Sequence, residues 1–402
     1  MYIKRTLEKK ILEYSRQFKI IAVAGQRQTG KTTMLKKLSG NDRSYITLDD
    51  PDELFLAKSD PKLFFERHRP PLLIDEIQYA PELFPYMKMI VDGSNKKGLF
   101  WITGSQHFNL MKNVSESLAG RVCILSIMGL SLYEMQKIGH LQESFLPGRI
   151  RNFLKYKTLR QLYKIIWKGS FPEMAAGRKI DRNRFFDSYI KTYIERDVSQ
   201  IINIGKKMSF FKFLRAVAAR TAQELNITAI ARDTDISPNT AKEWLSILQA
   251  AGVVYLLQPY YANISKRLSK TPKLYFADTG LCSYLTAWSS PEVLESGAMS
   301  GAILETFVVM EILKSYLHNG EDPFMYYYRD KEQKEIDLIF DRGEGIYPVE
   351  IKKSMTISNY MIKNFSVLAS LKKPCINGAV ICLAKEWLPM NNKVNAISLW
   401  NI

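Results

Sequence analysis

Over the first 130 residues, apolar positions come in short, nearly unbroken runs at 20–24, 71–74, 99–103 and 122–127, with a more mixed one at 44–48. Helix-length segments separate them, the first carrying Leu7, Ile11, Leu12 and Tyr14 at helical spacing. Strands that do not alternate in polarity and take turns with helices predict a parallel sheet covered on both faces. Residues 131–200 read as mostly helical and basic, with a turn at Gly169-Ser-Phe-Pro-Glu173 and a further run over 189–198.

The pattern changes after residue 208. An apolar helix over 210–222 and a short segment at 228–232 lead to a turn at 233–237 and a helix over 238–250. Ser237 is placed to cap that helix, Pro238 suits its first position and Gly252 its end. Strands at 253–257 and 273–276 follow, which completes the order of a winged helix. Ala241, Trp244, Leu245 and Leu248 form the inward stripe of the second helix, leaving Asn239, Thr240, Lys242, Glu243 and Ser246 outward as a set suited to reading a DNA groove. The last third predicts a helix over 302–317 and strands near 325–328, 336–340, 347–351 and 379–383.

With 402 residues, 46% apolar and 24% charged, the chain has material for several cores, which excludes a disordered or fibrous protein. No stretch approaches the ~20 apolar residues of a membrane helix, so no membrane association is expected. The N-terminal segment is charged throughout and lacks an apolar signal core, and Cys123, Cys282, Cys375 and Cys382 form no CxxC pair. Both features point to a cytoplasmic protein with reduced thiols. The net charge of +17 divides unevenly, as +6 over 1–130, +10 over 131–262 and +1 over 263–402. Between Arg149 and Arg184, eleven basic residues face only Glu173 and Asp181. Such a block attracts polyanions, DNA foremost, although a solvated helix face or an acidic protein partner would use it as well.

Gly25-Gln26-Arg27-Gln28-Thr29-Gly30-Lys31-Thr32 matches GxxxxGK[ST] directly after a strand and before a helix that begins at Thr33. Its amides are suited to wrap the phosphates of ATP, with Lys31 reaching the β- and γ-phosphates and Thr32 binding Mg²⁺. A carboxylate partner is required on a neighbouring strand, and Asp75-Glu76, ending the run 70–74, supplies it. Asp75 is expected at the metal and Glu76 at the attacking water. Thr103 and Ser105 end the next strand, where a hydroxyl would sense the γ-phosphate. Arg121 offers positive charge to the γ-phosphate, in cis or in a neighbouring subunit, and Arg5 to the adenine side.

The P-loop, the strand at 72–76, Thr103-Gly-Ser105 and Leu118-Ala-Gly-Arg121 resemble the prokaryotic AAA-type ATPases that carry a C-terminal domain of uncharacterised function. So do Gly169-Ser-Phe-Pro-Glu173, Ile194-Glu-Arg-Asp197 and Phe276-Ala-Asp-Thr-Gly-Leu281. The resemblance covers nearly the whole chain in order. It implies an α/β fold with an AAA+-like P-loop NTPase core, a winged helix and a restriction-endonuclease-like C-terminal domain. The corresponding divisions are 1–130 (ATPase core), 131–205 (helical lid and linker), 206–285 (winged helix) and 286–402 (nuclease-like domain).

Within the last division, Asp337 opens one strand and Glu350 and Lys352 share a face of the next, with Glu305 on the preceding helix. This is the order of PD-(D/E)xK nucleases, whose carboxylates hold Mg²⁺ or Mn²⁺ while the lysine handles the attacking water. The expectation is an ATP-regulated DNA-binding protein with a possible nuclease site. The alternative is a signalling or assembly ATPase that docks a protein partner or its own copies and keeps an inert nuclease-like scaffold.

Overall fold

A computed structural model describes residues 2–104, 118–149, 153–176, 180–194, 207–261, 270–370 and 373–402. Ser105, Arg151, Arg178, Lys179 and the Glu-Arg-Asp of Ile194-Glu-Arg-Asp197 lie outside the described residues.

The N-terminal third contains α1 (Leu7–Ser15), β1 (Ile20–Ala24), α2 (Lys31–Ser39), β2 (Ser44–Thr47), α3 (Pro51–Ser59), α4 (Pro61–Arg67), β3 (Leu72–Asp75), α5 (Leu83–Asp92), β4 (Phe100–Gly104) and β5 (Val122–Ser126). All five strands are parallel, in the order β2-β3-β4-β1-β5. Every residue of β1, β3 and β4 is buried, as expected for inner strands with helices on both faces. One apolar cluster fills each face, around Phe64, Phe84 and Phe100 on one side and Ile11, Met34 and Trp101 on the other. The sheet is that of a P-loop NTPase.

The strand order corrects one expectation. The Asp75 strand is not adjacent to the P-loop strand, because β4 lies between β1 and β3. Asp75 therefore reaches the loop across the end of β4, where the short side chain of Thr103 leaves room.

Residues 132–250 contribute α6 (Leu132–Met135), α7 (Leu159–Lys168), α8 (Pro172–Ala175), α9 (Arg182–Tyr189), α10 (Lys207–Ala218), α11 (Ile227–Asp233) and α12 (Pro238–Ala250). α6 and α7 each begin with a capping box, Ser131 with Glu134 and Thr158 with Gln161. In α12, the Ser237 hydroxyl accepts from the Thr240 amide and Gly252 adopts φ +69° just past the end. The predicted stripe of α12 is buried together with Ile247.

α10 stops at Ala218, four residues earlier than its apolar pattern suggests, because β8 captures the chain that follows. The Ala222 amide donates to Leu274 O, and Thr221 Oγ1 accepts from the Phe276 amide. The small sheet consequently has three strands rather than a two-stranded hairpin: β6 (Gln223–Glu224), β8 (Lys273–Phe276) and β7 (Val254–Leu257), paired in that order.

The rest of the chain forms α13 (Thr279–Leu285), α14 (Pro291–Ser296), α15 (Ser300–Leu317), β9 (Met325–Arg329), β10 (Glu335–Arg342), β11 (Gly345–Ile351), β12 (Gly378–Cys382), β13 (Leu388–Pro389) and β14 (Val394–Ser398). Six strands pair in the order β13-β14-β12-β11-β10-β9. β14 was not legible as a strand and pairs in parallel with β12. α15 is buried around nearly its whole circumference, as a central helix must be. One apolar core runs from Leu132 to Ile402, crossing positions 205 and 285 without a break. No helix among the described residues is long and apolar enough to cross a membrane.

Candidate nucleotide site

The loop after β1 is held on every side. Gly25 packs so tightly on β5 that a Cβ there would stand 2.1 Å from Ile127 O, so only glycine fits. Thr29 is buried, and its hydroxyl donates to Gln26 O at 2.8 Å. Gln28 and Gly30 take left-handed conformations, φ +60° and +87°, and Gly30 is the N-cap of α2. Lys31 Nζ donates to Gly25 O and Gln26 O, both at 2.8 Å. Arg27 donates to the Tyr79 hydroxyl at 3.3 Å. Thr33 and Gly30 border a cavity of about 290 Å³ beside the loop, whose apolar wall includes Ile3, Leu130 and Pro172. A flat base fits between such walls, next to the phosphate loop.

The carboxylate side is equally defined. Asp75 is 5% exposed and accepts from Thr32 Oγ1 at 2.8 and 3.0 Å, from Thr103 Oγ1, and from the Tyr45 hydroxyl at 3.3 Å. A buried carboxylate whose hydrogen-bond partners among the described residues are all hydroxyls has room for a cation. Thr32 and Asp75 accordingly fit Mg²⁺, which would neutralise charge on the β- and γ-phosphates. Glu76 stands in a left-handed turn (φ +56°), its amide donating to Thr103 Oγ1 at 3.1 Å and its carboxylate accepting from Gln78 Nε2. Thr103 thus links Asp75 to Glu76. Gln78, which no sequence motif singles out, orients Glu76.

Two arginines behave differently from expectation. Arg121 precedes β5 at the edge of the sheet opposite the P-loop, about 13 Å of strand away. Its guanidinium clasps Asp92 at 2.6 and 2.9 Å, and its carbonyl accepts from the Ile20 amide. It cannot serve the γ-phosphate in cis, because that phosphate lies beyond the C-terminal end of β1. Arg5 lines the cavity, but its polar atoms point into the protein. It donates to Thr29 O (2.7 Å), Met128 O (2.8 Å) and Gly129 O (3.2 Å), and its Nε lies 3.1 Å from Glu134. Glu134 is fully buried and also accepts from the Thr6 and Ser131 amides. Burial alone would raise its pKa; the charge of Arg5 prevails and holds the carboxyl well below its usual range.

His318, one residue past α15, faces Glu134 at 3.5 Å. Its Nε2 accepts the Met128 amide at 3.2 Å, which fixes the ring as neutral with the proton on Nδ1, and burial lowers its pKa. Lys314 of α15 donates to Leu130 O, and Glu311 accepts from the Leu132 amide. The end of α15 is therefore joined to the phosphate loop through His318, Glu134 and Arg5.

The signature segments beyond the P-loop bind one another. Asp278 accepts from the Ser170 amide and hydroxyl (2.6 and 2.8 Å) and caps α13 through the Leu281 amide. Arg182, read from the sequence as part of the polyanion surface, is internal. It stacks on Trp167 at 4.0 Å and donates to Gly280 O and Ser283 Oγ.

In the C-terminal sheet, the register Leu338↔Val349 places Asp337 beside Glu350. Lys352 Nζ lies 2.5 Å from Glu350 and 3.7 Å from Asp337, and Asp337 accepts the Ile351 amide. Glu305 joins this cluster but is taken by Lys273 Nζ at 2.9 Å and the Tyr275 hydroxyl at 2.7 Å, both from β8; Glu335 holds the same ammonium at 2.6 Å. Burial, with Asp337 close by, pushes Glu350 up to about 9, and burial pushes Glu305 to about 7. Among the described residues, no three His, Cys, Asp or Glu side chains form a metal-ligand set. The four expected residues do come together, but Lys273, which belongs to none of the motifs, takes the charge of Glu305. As arranged, the cluster does not fit the second Mg²⁺ or Mn²⁺.

Residues 17–136 match an AAA domain, 159–292 a domain of unknown function (DUF8612) and 300–402 another (DUF4143). Uncharacterized proteins of Mycobacterium tuberculosis and Mycobacterium bovis are each 30% identical over 343 residues, 84% of this chain and 71% of theirs. Among solved structures, a Walker-type ATPase of Pyrococcus abyssi is 15% identical over 71% of this chain and 96% of its own, with a TM-score of 0.45. RuvB of Thermotoga maritima is 16% identical over 65% and 93%, with a TM-score of 0.30. The chain therefore belongs, with its mycobacterial relatives, to the AAA-type P-loop ATPases that carry a C-terminal domain of unknown function.

Proposed function

We propose that the chain is a Mg²⁺-dependent ATPase whose nucleotide state governs its hold on DNA. One observation carries this reading: Gln26, inside the P-loop, donates from its side chain to Gly252 O, at the end of α12. α12 occupies the position of a winged-helix recognition helix, and Asn239, Lys242, Glu243 and Ser246 are exposed on its outer face. Any rearrangement of the loop around phosphates is thus felt at once by that helix. ATP binding draws Lys31 from the two loop carbonyls to the β- and γ-phosphate oxygens. Glu76, steadied by Gln78, then polarises the attacking water, and Thr103 senses the result because it holds the Asp75 carboxylate and the Glu76 amide.

The test is DNA affinity and ATP turnover of the full chain at low salt, with ATP, ADP or no nucleotide. Affinity that changes with nucleotide supports the reading. DNA that neither binds nor alters turnover, with a protein complex forming only in ATP, would instead establish the docking ATPase. DNA cleavage by the C-terminal cluster is left out of this reading, because Lys273 occupies Glu305 and the cluster as arranged fits no metal. Cleavage with Mn²⁺ that disappears in Lys352→Ala would overturn that exclusion.

A further inference from the structure

Three lysines of the basic block converge on a cavity that the ATP site does not use. Lys157, just before α7, and Lys164 and Lys168 on α7 border a hollow of about 330 Å³. Its floor is apolar, with Leu132 and Met135 of α6 and Met174 of α8 among its residues. None of the three ammonium groups has an ion-pair or hydrogen-bond partner among the described residues. Their neighbour Arg160 pairs with Glu292, so acids are within reach of α7 elsewhere. Lys164 and Lys168 stand one turn apart on the same face, a repulsive spacing. The helix dipole offsets this for Lys168 in the last turn but not for Lys164 or Lys157. An anion in the hollow would resolve all three charges.

The position of the hollow gives it a second property. α8 is a single turn, and its two sides face different cavities. Met174 and Ala175 border the lysine hollow, while Pro172 and Glu173 border the nucleotide cavity. That one turn is the partition between them, and the loop before it is pinned by Asp278 to Ser170. A ligand that displaces α8 from one side is registered on the other.

Resting on the proposed control of DNA binding by ATP, we propose that this hollow binds the phosphate backbone of single-stranded nucleic acid and signals its occupancy to the ATP site through α8. The volume suits a nucleotide unit or two and is too small for a duplex. An apolar floor beneath cations also matches an unstacked strand, which presents bases as well as phosphates.

The experiment measures fluorescence anisotropy of a labelled oligothymidine with the full chain between roughly 50 and 200 mM salt. Wild type is compared with the triple variant Lys157→Gln/Lys164→Gln/Lys168→Gln. A charge-matched control, Lys58→Gln/Lys62→Gln/Arg67→Gln, alters exposed residues of α3 and α4. The triple variant should lose roughly tenfold in affinity, and its slope of log K against log salt should flatten by about 2, or ~0.7 for each phosphate left without its lysine. The control should keep the wild-type slope. The ratio of ATP turnover with the strand to turnover without it should fall to one in the triple variant alone. Equal losses in both variants, an unchanged slope in the triple variant, or tighter binding of duplex than single strand to wild type would overturn this inference and leave DNA binding standing. Wild type that binds no nucleic acid even at low salt would overturn both.

Discussion

The contact between Arg5 and Glu134 permits a quantitative test of the link between the phosphate loop and α15. In Arg5→Met, Glu134 remains fully buried and keeps two amide donors and the neutral His318, but loses the one cation paired with it among the described residues. Removing one partner of a buried pair costs about 3–5 kcal/mol. The carbonyls of Thr29, Met128 and Gly129 also lose a donor. Relaxation of Glu134 by taking up a proton limits the sum, so a loss of roughly 4 kcal/mol is expected. In Arg5→Met/Glu134→Gln the stranded charge is gone while the amides keep an acceptor. The double variant should therefore recover about 2 kcal/mol of that loss. Denaturant midpoints of the wild type and both variants read the stabilities, and calorimetric titration of ATP reads the loop. Stability should recover in the double variant while ATP affinity stays reduced, because the tether to Thr29 O is missing in both. A double variant no more stable than Arg5→Met would refute the buried pair as the source of the effect. Unchanged ATP affinity in both would refute the tether.

Acid should destabilise the fold in two windows. His318, with a folded pKa below its unfolded one, contributes stability that is complete above about pH 6.5 and is lost as pH falls through the folded value, at up to ~1.4 kcal/mol per unit. Glu134, also depressed, adds loss only below about pH 4.5; denaturation series at pH 7.5, 6 and 5 should show the first window, and a flat profile there would contradict the neutral buried ring. Gly25→Ala, whose Cβ would overlap Ile127 O, should cost roughly 1–3 kcal/mol and abolish nucleotide binding, both visible in a thermal-shift titration. Lys31→Ala should abolish tight ATP binding. Glu76→Gln should retain ATP but slow turnover by about 10² or more in a phosphate-release assay, and normal turnover would remove Glu76 from the base role.

Much of the nucleotide site was legible because a phosphate loop is written in contiguous residues. Gly25, Gly30, Lys31 and Thr32 carry their roles in spacing alone, and Asp75-Glu76 closes an apolar run. What spacing does not encode is strand order, so the insertion of β4 between β1 and β3 was hidden, and with it the central placement of Thr103. The misplacement of Arg121 has the same origin. Its position just before β5 puts it at the far edge once the sheet is parallel, but this follows only when the pairing Ile20↔Val122 is known. Lys273 and His318 were invisible for another reason. Neither belongs to a motif, and the partners of each lie on segments distant in sequence. β14 was missed because Val394–Ser398 is short and half polar, and its pairing with β12 decides its conformation.

The buried junction at His318 bears on heredity as well as chemistry. The segment 17–136 that matches an AAA domain contains Glu134 but neither Arg5 nor His318, and the segment 300–402 contains His318 without the amide it caps. Cut at those borders, the first piece would keep a carboxylate stripped of its cation. The second would expose a helix evolved to be surrounded. A gene that acquired either half by recombination would have to rebuild the junction before it produced a stable protein. The two halves are therefore expected to travel through genomes as a unit, with exchange confined to surfaces away from this seam.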